Sequence, residues 1–328
     1  MLMSIRILAL AGMFFGACAS AASLIAPGTH LVEGEATPHR QPDGNSIIIA
    51  APKGLIVFDT GRHKEHAQQV LDFAREQNRP IAAIINSHWH LDHVGGNPRL
   101  RSEFPGIRVY ASSAIDAARS GFLADYRAHL AAELASSAKG PEAQESLRAE
   151  MALIDAGAAL GPTDVIAKSA PMIIAGRRLQ LHLESHAVTA GDVWVFDPET
   201  RVLLAGDLVT LPAPFFESAC PARWRASLAH LEKMPFDRLV PGHGAPITKP
   251  EFAVYRKAFS NLLDCAAGNA SRNDCMDGWL SDASALIHSS QDASYARTLI
   301  GYYLDNYLRH PTERIRGFCT ARTDSSAP

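Results

Sequence analysis

Apolar residues in the first half of the chain occur in short runs that predict β-strands. Residues 46–50, 55–58, 81–87 and 107–110 are rich in β-branched and aromatic side chains, and turn residues separate them. Between the second and the third run, residues 63–77 have the apolar spacing of an amphipathic helix. The pattern therefore predicts alternating strands and helices.

The second half repeats this organisation after a helical stretch. Residues 113–160 are rich in Ala, Leu and Glu and predict two or three helices, broken at Lys139-Gly140-Pro141. A second β half begins near Pro171, and from Pro250 onward the chain is predicted to be helical apart from a loop. The remaining predicted elements are strands at 179–184, 193–196, 202–205 and 238–240, a helix at 226–233, and the loop at 267–273. Two β halves, each with its own helices, predict an α/β fold: a four-layer αββα sandwich with the helices outside.

The N-terminus predicts export. Residues 1–6 carry one positive charge, residues 7–19 are apolar and small, and Ala19-Ser20-Ala21 fits the small-x-small rule of signal peptidase. The apolar run is too short for stable membrane insertion. We expect a periplasmic or secreted protein, and lipoprotein anchoring through Cys18 is the alternative.

The cysteine count agrees with export. Once Cys18 leaves with the signal, four cysteines remain, and an even number in an exported chain suggests two disulfides. Three pairings are possible. Cys265 with Cys275 is the most natural, because both flank a loop rich in Gly, Asn and Ser, and Cys220 with Cys319 would then tie the tail to the main domain.

Candidate chemistry is concentrated in His88-Trp89-His90-Leu91-Asp92-His93. This stretch directly follows the predicted buried strand at 81–87, and open α/β sheets place their chemistry at the carboxyl ends of strands. Imidazole nitrogens with a carboxylate oxygen suit zinc well, although iron or manganese could also use them. The spacing predicts the beginning of two metal sites.

Charge narrows the choice of partners. The net charge is −3, 20% of the residues are charged, and the sequence contains no polybasic tract. Nothing in this composition favours a nucleic acid or an anionic membrane surface, so we expect a small-molecule substrate.

Five motifs together resemble the metallo-β-lactamase-fold hydrolase superfamily, with glyoxalase II-like and lactonase-like members as the nearer types. They appear in family order over roughly residues 30–250: Asp59-Thr60-Gly61, the histidine cluster, a histidine near residue 186, Gly206-Asp207, and Pro241-Gly242-His243-Gly244. We accordingly divide the chain into a signal peptide at 1–21, a catalytic domain at 24–250 with a helical insertion at about 113–160, and a disulfide-containing helical extension at 251–328.

The resemblance implies a set of metal ligands. His88 and His90 would bind the first metal, Asp92, His93 and His243 the second, and Asp207 would bridge both. Asp59 would accept a hydrogen bond that orients a ligand imidazole; its alternative role is a turn-forming aspartate. Apart from these four and His186, the other nine of the 14 histidines are interpreted as solvent-exposed or packing residues.

One position departs from the family pattern. The family usually has a histidine directly before the threonine of Thr-x-Gly-Asp, but here Val188 precedes Thr189, and His186 lies two residues earlier. A shift of two residues keeps a side chain on the same face of an extended segment, so we expect His186 to bind the first metal. Otherwise His186 is an ordinary exposed histidine and the first site lacks a ligand.

The resemblance also implies a mechanism. Two zinc ions about 3.5–4 Å apart would share a water and lower its pKa to about 7, giving a hydroxide that attacks an electrophile. Asp92 would hold this nucleophile in line and carry a proton to the leaving group. We therefore expect an exported zinc hydrolase that cleaves an ester, lactone, thioester or amide-like bond.

Three alternatives stay open. Most true β-lactamases of the fold have Cys or Ser where this chain has Asp207, which counts against a dedicated β-lactamase but leaves weak β-lactam hydrolysis possible. A mononuclear iron dioxygenase would use only the first site. A non-catalytic metal-binding protein with a degenerate first site is the third alternative.

Overall fold

The computed structural model describes residues 22–35, 40–136, 140–311 and 318–320. The predicted signal peptide at 1–21 and Cys18 lie outside the described residues. Within the described ranges, no helix is both long enough and apolar enough to span a membrane.

The first β-sheet has seven strands that follow one another in chain order. The first four strands pair antiparallel and the last four pair parallel, so the fourth strand belongs to both parts. The strands are β1 (Ser23–Ala26), β2 (Thr29–Val32), β3 (Ser46–Ala51), β4 (Gly54–Phe58), β5 (Ile81–Ile85), β6 (Arg108–Ala111) and β7 (Asp164–Val165). Helices α1 (Lys64–Glu76), α2 (Leu91–Val94) and α3 (Asn97–Glu103) lie in the connections between β4 and β6.

The second sheet has six strands in the order β13-β12-β11-β10-β9-β8. Only β11 and β12 pair in parallel, and helix α7 (Pro221–Glu232) connects them. The strands are β8 (Ala170–Ile174), β9 (Arg177–Glu184), β10 (Asp192–Asp197), β11 (Val202–Thr210), β12 (Arg238–His243) and β13 (Ile247–Thr248). The other long helices are α4 (Ala114–Ser120), α5 (Phe122–Ala135) and α6 (Pro141–Asp155) between β6 and β7, and α8 (Lys249–Ala267), α9 (Arg272–Asp282) and α10 (Ser290–Tyr303) after β13.

The two sheets pack face to face over a shared hydrophobic core. Ile56 and Phe58 of β4 lie in the same buried cluster as Leu181 of β9 and Leu204 of β11. On the outer face of the first sheet, α1 contributes to a second cluster with β3–β5. Helices α7–α10 cover the outer face of the second sheet, so the predicted four-layer αββα sandwich is confirmed.

The C-terminal helices share their core with the second sheet. Trp194 of β10 and Leu203 of β11 belong to one buried cluster with Phe252 of α8 and Trp279 of α9. This cluster crosses the predicted domain boundary near residue 250. The division into a catalytic domain and a C-terminal extension stays a prediction.

The cysteines pair as the sequence favours. The structure contains disulfides between Cys220 and Cys319 and between Cys265 and Cys275. The loop between the second pair is shorter than predicted, because the Ser271 side chain accepts a hydrogen bond from the Asp274 backbone and begins α9 there. Cys265 and Cys275 therefore lie inside helices and join α8 to α9.

Two elements extend beyond their predicted bounds. Strand β11 continues to Thr210 instead of ending at residue 205, and all nine of its residues are buried. The prediction rested on a run of apolar residues, and Gly206-Asp207 interrupts that run. A buried strand can nevertheless continue through polar residues where they find partners. Helix α7 begins at Pro221, a residue suited to the first helical turn, and not near residue 226.

Candidate metal centre

Most of the candidate metal ligands lie at or just after the ends of strands. His88 and His90 follow β5, and Asp92 and His93 lie in the single-turn helix α2. From the second sheet, Asp207 lies within β11 and His243 ends β12, with which β11 pairs. The sandwich thus brings together residues that are more than 100 positions apart in sequence.

The side chains form two groups with closely spaced ligand atoms. His88, His90 and Asp207 make the first group, and Asp92, His93 and His243 make the second. Within each group, one nitrogen or oxygen atom per residue lies within 4.8 Å of the others. This spacing fits a metal ion at the centre of each group.

Asp207 faces both groups with different oxygen atoms. Its Oδ2 lies 3.6 Å from His88 Nε2 in the first group. Its Oδ1 lies 3.1 Å from His93 Nε2 and 3.6 Å from His243 Nε2 in the second. A carboxylate in this position can bind two cations at once.

Several buried atoms of the centre have no hydrogen-bond partner. Buried polar atoms are nearly always paired, because an unpaired one costs about 1–3 kcal/mol. The unpaired atoms here are His88 Nε2, His93 Nε2, His243 Nε2 and Asp207 Oδ1. All four belong to the two groups, and nitrogen and carboxylate donors of this kind suit zinc.

Asp59 and Ser87 leave the ligand nitrogens of two histidines free. Asp59 accepts hydrogen bonds from the Ser87 backbone at 2.7 Å, from Ser87 Oγ at 2.7 Å, and from His93 Nδ1 at 2.9 Å. Ser87 Oγ also lies 2.8 Å from His88 Nδ1 and accepts its proton, since its own proton goes to Asp59. Both rings are thereby protonated at Nδ1 and present Nε2 to the centre. The role of Asp59 in orienting ligands stays a prediction, and this geometry supports it.

Ser218 fixes the tautomer of His90 in a similar way. His90 Nε2 lies 2.8 Å from Ser218 Oγ, which donates to the Val188 carbonyl oxygen at 2.9 Å. His90 Nε2 therefore carries the proton, and Nδ1 is left as the candidate ligand atom. Nothing in the sequence pointed to Ser218.

Burial and neighbouring charges set the protonation of these groups. Burial lowers the pKa of His88 well below its usual value and that of His90 to about 4, so both rings are neutral at pH 7. Burial alone would raise the pKa of Asp92, but His93, His243 and Arg62 hold it well below the usual range. Burial alone would lower the pKa of His93, but Asp207, Asp92 and Asp59 raise it well above the usual value. Metal binding uses neutral imidazoles and ionised carboxylates, so a metal ion would have to displace a proton from His93.

Arg62 and Glu150 are two further charged residues beside the centre that sequence reasoning missed. Arg62 Nη2 lies 3.5 Å from Asp92 Oδ1, and Arg62 Nη1 forms an ion pair with Glu150 of helix α6. Their side chains are only 10% and 11% exposed. The helical insertion therefore reaches the second group through this pair.

The structure does not bring His186 into either group. The chain turns at His186 with a φ of 60°, and its ring lies 4.7 Å from that of Phe318. Val188 is fully buried in the cluster between the second sheet and its helices. His186 lies two residues earlier in the chain and belongs to neither group. Metal binding by His186 stays a prediction, and this geometry does not support it.

Comparison with known families identifies the fold and the class. The family model described as the metallo-beta-lactamase superfamily matches residues 40–243, which contain every candidate ligand of both groups. The chain belongs to the metallo-β-lactamase superfamily.

Curated relatives of the chain include hydrolases with different substrates. The linear primary-alkylsulfatase of Pseudomonas sp. is 28% identical over 225 residues, which are 62% of this chain and 42% of that protein. The hydroxyacylglutathione hydrolase of Gloeobacter violaceus is 48% identical over 46 residues, 14% of this chain and 18% of that protein. The chain thus spans about two-fifths of the length of the alkylsulfatase that it matches.

Solved structures support the fold. The metallo-beta-lactamase from Pontibacter korlensis superposes with a TM-score of 0.53 at 20% identity, over 73% of this chain and 98% of that one. The DIM-1 metallo-beta-lactamase gives a TM-score of 0.51 at 15% identity, over 73% and 95% of the two chains. At this identity the likeness extends to the fold alone.

Proposed function

We propose that this protein is an exported, two-zinc hydrolase that cleaves an ester, thioester, lactone or amide-like bond. The observation that carries the proposal is Asp207, whose two carboxylate oxygens lie 3.1–3.6 Å from histidine nitrogens of both groups. A single-metal enzyme needs no such arrangement. Membership of the superfamily and the hydrolytic relatives support the same reading.

His88, His90 and Asp207 would hold the first zinc, and Asp92, His93, His243 and Asp207 the second. When bound, the zinc pair supplies a water of lowered pKa and an electrophile that polarises the bond to be cleaved. Asp59, Ser87 and Ser218 keep the ligand imidazoles in the tautomers that leave one nitrogen free.

Asp92 is the proposed catalytic carboxylate. Its Oδ2 lies 3.0 Å from His243 Nε2, inside the second group, and its pKa is held well below the usual range. An ionised carboxylate at this point would hold the attacking water in line, and it would carry a proton to the leaving group.

A second candidate substrate class is the sulfate ester. The alkylsulfatase similarity extends over 62% of the chain, whereas the similarity to hydroxyacylglutathione hydrolase covers 14%. A two-metal centre could serve either class, although a carbonyl is attacked at a planar carbon and a sulfate ester reacts by displacement at a tetrahedral centre, so the substrate panel includes both.

Export is part of the proposal. It is supported by the predicted signal peptide and by the two disulfides, since disulfides persist in oxidising compartments. Mature protein collected from the periplasm should begin near residue 22, which N-terminal sequencing would show.

The test begins with metal analysis of the purified protein, where we expect about two zinc ions per chain. Turnover is then measured on an aryl ester, a thioester, a lactone, a primary alkyl sulfate and a cephalosporin. One iron with oxygen uptake would support the dioxygenase reading instead, and bound metal without turnover on any substrate would support the non-catalytic one.

Asp92→Asn tests the mechanism within the same assay. We expect turnover to fall by at least about 100-fold, because a positioned acid–base group contributes on that scale. Asp164→Asn is a matched control, since Asp164 pairs with Arg108 at the end of the first sheet and touches no candidate ligand. Near-full turnover of Asp92→Asn would contradict the two-metal mechanism.

A further inference from the structure

Arg62 is held beside the second group by every nitrogen of its guanidinium. Nη2 lies 3.5 Å from Asp92 Oδ1, Nη1 pairs with Glu150, and Nε donates to the Pro42 carbonyl oxygen at 3.2 Å. Each of the three nitrogens thus faces an oxygen atom of the protein. Arg62 is therefore arranged to act on its protein neighbours.

The two oxygens of Asp92 have different surroundings. Oδ2 lies 3.0 Å from His243 Nε2 and 3.6 Å from His93 Nε2, among the candidate ligands. Oδ1 faces Arg62 instead. A carboxylate whose outer oxygen is bound to a guanidinium is restricted in its rotation, so it presents one defined oxygen to the second group.

The backbone of Arg62 also packs against the turn that follows Asp92. A Cβ atom added to Gly95, the residue after helix α2, would lie 2.8 Å from Arg62 Cα. The Arg62 amide donates to Asp43 Oδ1 at 2.6 Å, which fixes the backbone from the other side. Position and side-chain direction of Arg62 are thus both determined.

Glu150 supplies the compensating charge from the helical insertion. It lies in α6, and Tyr126 of α5 donates to the same carboxylate oxygen at 3.4 Å. Arg62 stands between this carboxylate and that of Asp92. Without Glu150, the guanidinium would be a buried cation with one partner fewer, free to turn away from Asp92.

We infer that Arg62 is a positioning residue for Asp92, and that Glu150 holds Arg62 in place, so that the insertion helix α6 forms part of the second metal site. This inference rests on the proposed two-zinc function. It assigns a role to the insertion that the comparisons do not assign: the insertion supports metal binding from outside the ligand set.

The experiment measures the two zinc affinities separately, by chelator competition on protein stripped of metal, together with the zinc content after dialysis. We compare the wild type with Arg62→Met, Glu150→Gln and Arg62→Lys. The first two should weaken one of the two zinc-binding steps by about 10–100-fold, the usual effect of removing a partner of a ligand, and leave the other step unchanged. The zinc affinity of Arg62→Lys should lie between those of these two variants and that of the wild type, because a point charge cannot bridge two carboxylates as a guanidinium does.

Arg127→Met is the matched control. Arg127 pairs with Asp155 within the same insertion at 2.6 Å, on its exposed surface. This variant should keep both zinc affinities. Circular dichroism establishes that each variant is folded, and Glu150→Gln decides the matter if Arg62→Met does not fold.

Two outcomes overturn the inference in different ways. In the first, the wild type binds two zinc ions and the Arg62 and Glu150 variants bind both with affinities within about twofold of the wild type. This result removes the inference and leaves the proposed function standing. A wild type that binds fewer than two zinc ions removes both together.

Discussion

Ser218 Oγ lies 2.8 Å from His90 Nε2 and joins this ring to the carbonyl oxygen of Val188, 2.9 Å away. The alignment on Thr189, Gly191 and Asp192 places Val188 where the family pattern has a histidine. The segment around Val188 is thus connected to the first group through the Ser218 hydroxyl and the His90 ring.

Ser218→Ala should weaken the first zinc-binding step by about 10–100-fold, because His90 loses the partner that fixes its tautomer and ring orientation. Ser218→Thr keeps a hydroxyl at this position and should restore most of the affinity. Zinc competition with a chromogenic chelator measures both variants. Unchanged affinity of Ser218→Ala would show that His90 is held by its other contacts.

His186→Ala distinguishes a ligand from a packing residue. Because the ring lies against Phe318 and outside both groups, we expect the zinc content to stay at the wild-type value. The loss of stability should be about 1 kcal/mol, as for a typical substitution, because the half-buried ring loses its contact with Phe318. A fall in zinc content from about two ions toward one would instead establish His186 as a ligand.

Local sequence patterns predicted the parts of the centre that are local. The cluster from His88 to His93 follows a short apolar strand, and strand ends carry chemistry in such sheets. Asp207 and His243 came from the resemblance to a family, since no pattern in this chain alone brings them near the cluster. The four-layer fold followed from two β halves whose periodicities could be read directly.

The supporting residues could not be predicted, for a physical reason. The Arg62–Glu150 pair joins residues 88 positions apart and the Ser218–His90 pair residues 128 positions apart. Single arginine, glutamate and serine residues are common on any surface, so their types carry no signal. Only the folded chain shows that these particular ones lie beside the centre, shielded in part or fully from solvent.

The disulfides should leave no reactive thiol in the mature protein. Titration of denatured, unreduced protein from the periplasm should therefore find none, because Cys220–Cys319 and Cys265–Cys275 account for all four cysteines after residue 21. Two or more free thiols would contradict this pairing.

Removing the longer bridge should cost more stability than removing the shorter one. The Cys220–Cys319 bridge closes a loop of 99 residues and the Cys265–Cys275 bridge a loop of 10. The chain-entropy estimate is about 4–5 kcal/mol for the first and roughly 3 kcal/mol for the second. Urea unfolding of the paired serine variants measures both losses, and an equal or reversed order would show that local packing outweighs loop length.

His66 should make the stability of the protein depend on pH below neutrality. Its ring is 3% exposed, and its Nε2 lies 2.7 Å from Ser46 Oγ. Burial lowers its pKa from 6.5 to about 4, while the nearby carboxylate of Asp43 opposes the shift.

Between these two pKa values the unfolded chain binds more protons than the folded one, so the contribution of His66 is complete above about pH 6.5 and declines as the pH falls toward 4. The loss is about 3 kcal/mol at most. His66→Gln keeps a hydrogen-bonding group for Ser46 but does not titrate, so its free energy of unfolding should fall less steeply than that of the wild type. Urea unfolding at a series of pH values across this range, on protein stripped of metal, measures the difference. His129→Gln, at an exposed position, is the control, and its curve of unfolding free energy against pH should be parallel to that of the wild type. If the His66→Gln curve is also parallel, His66 does not set this pH dependence.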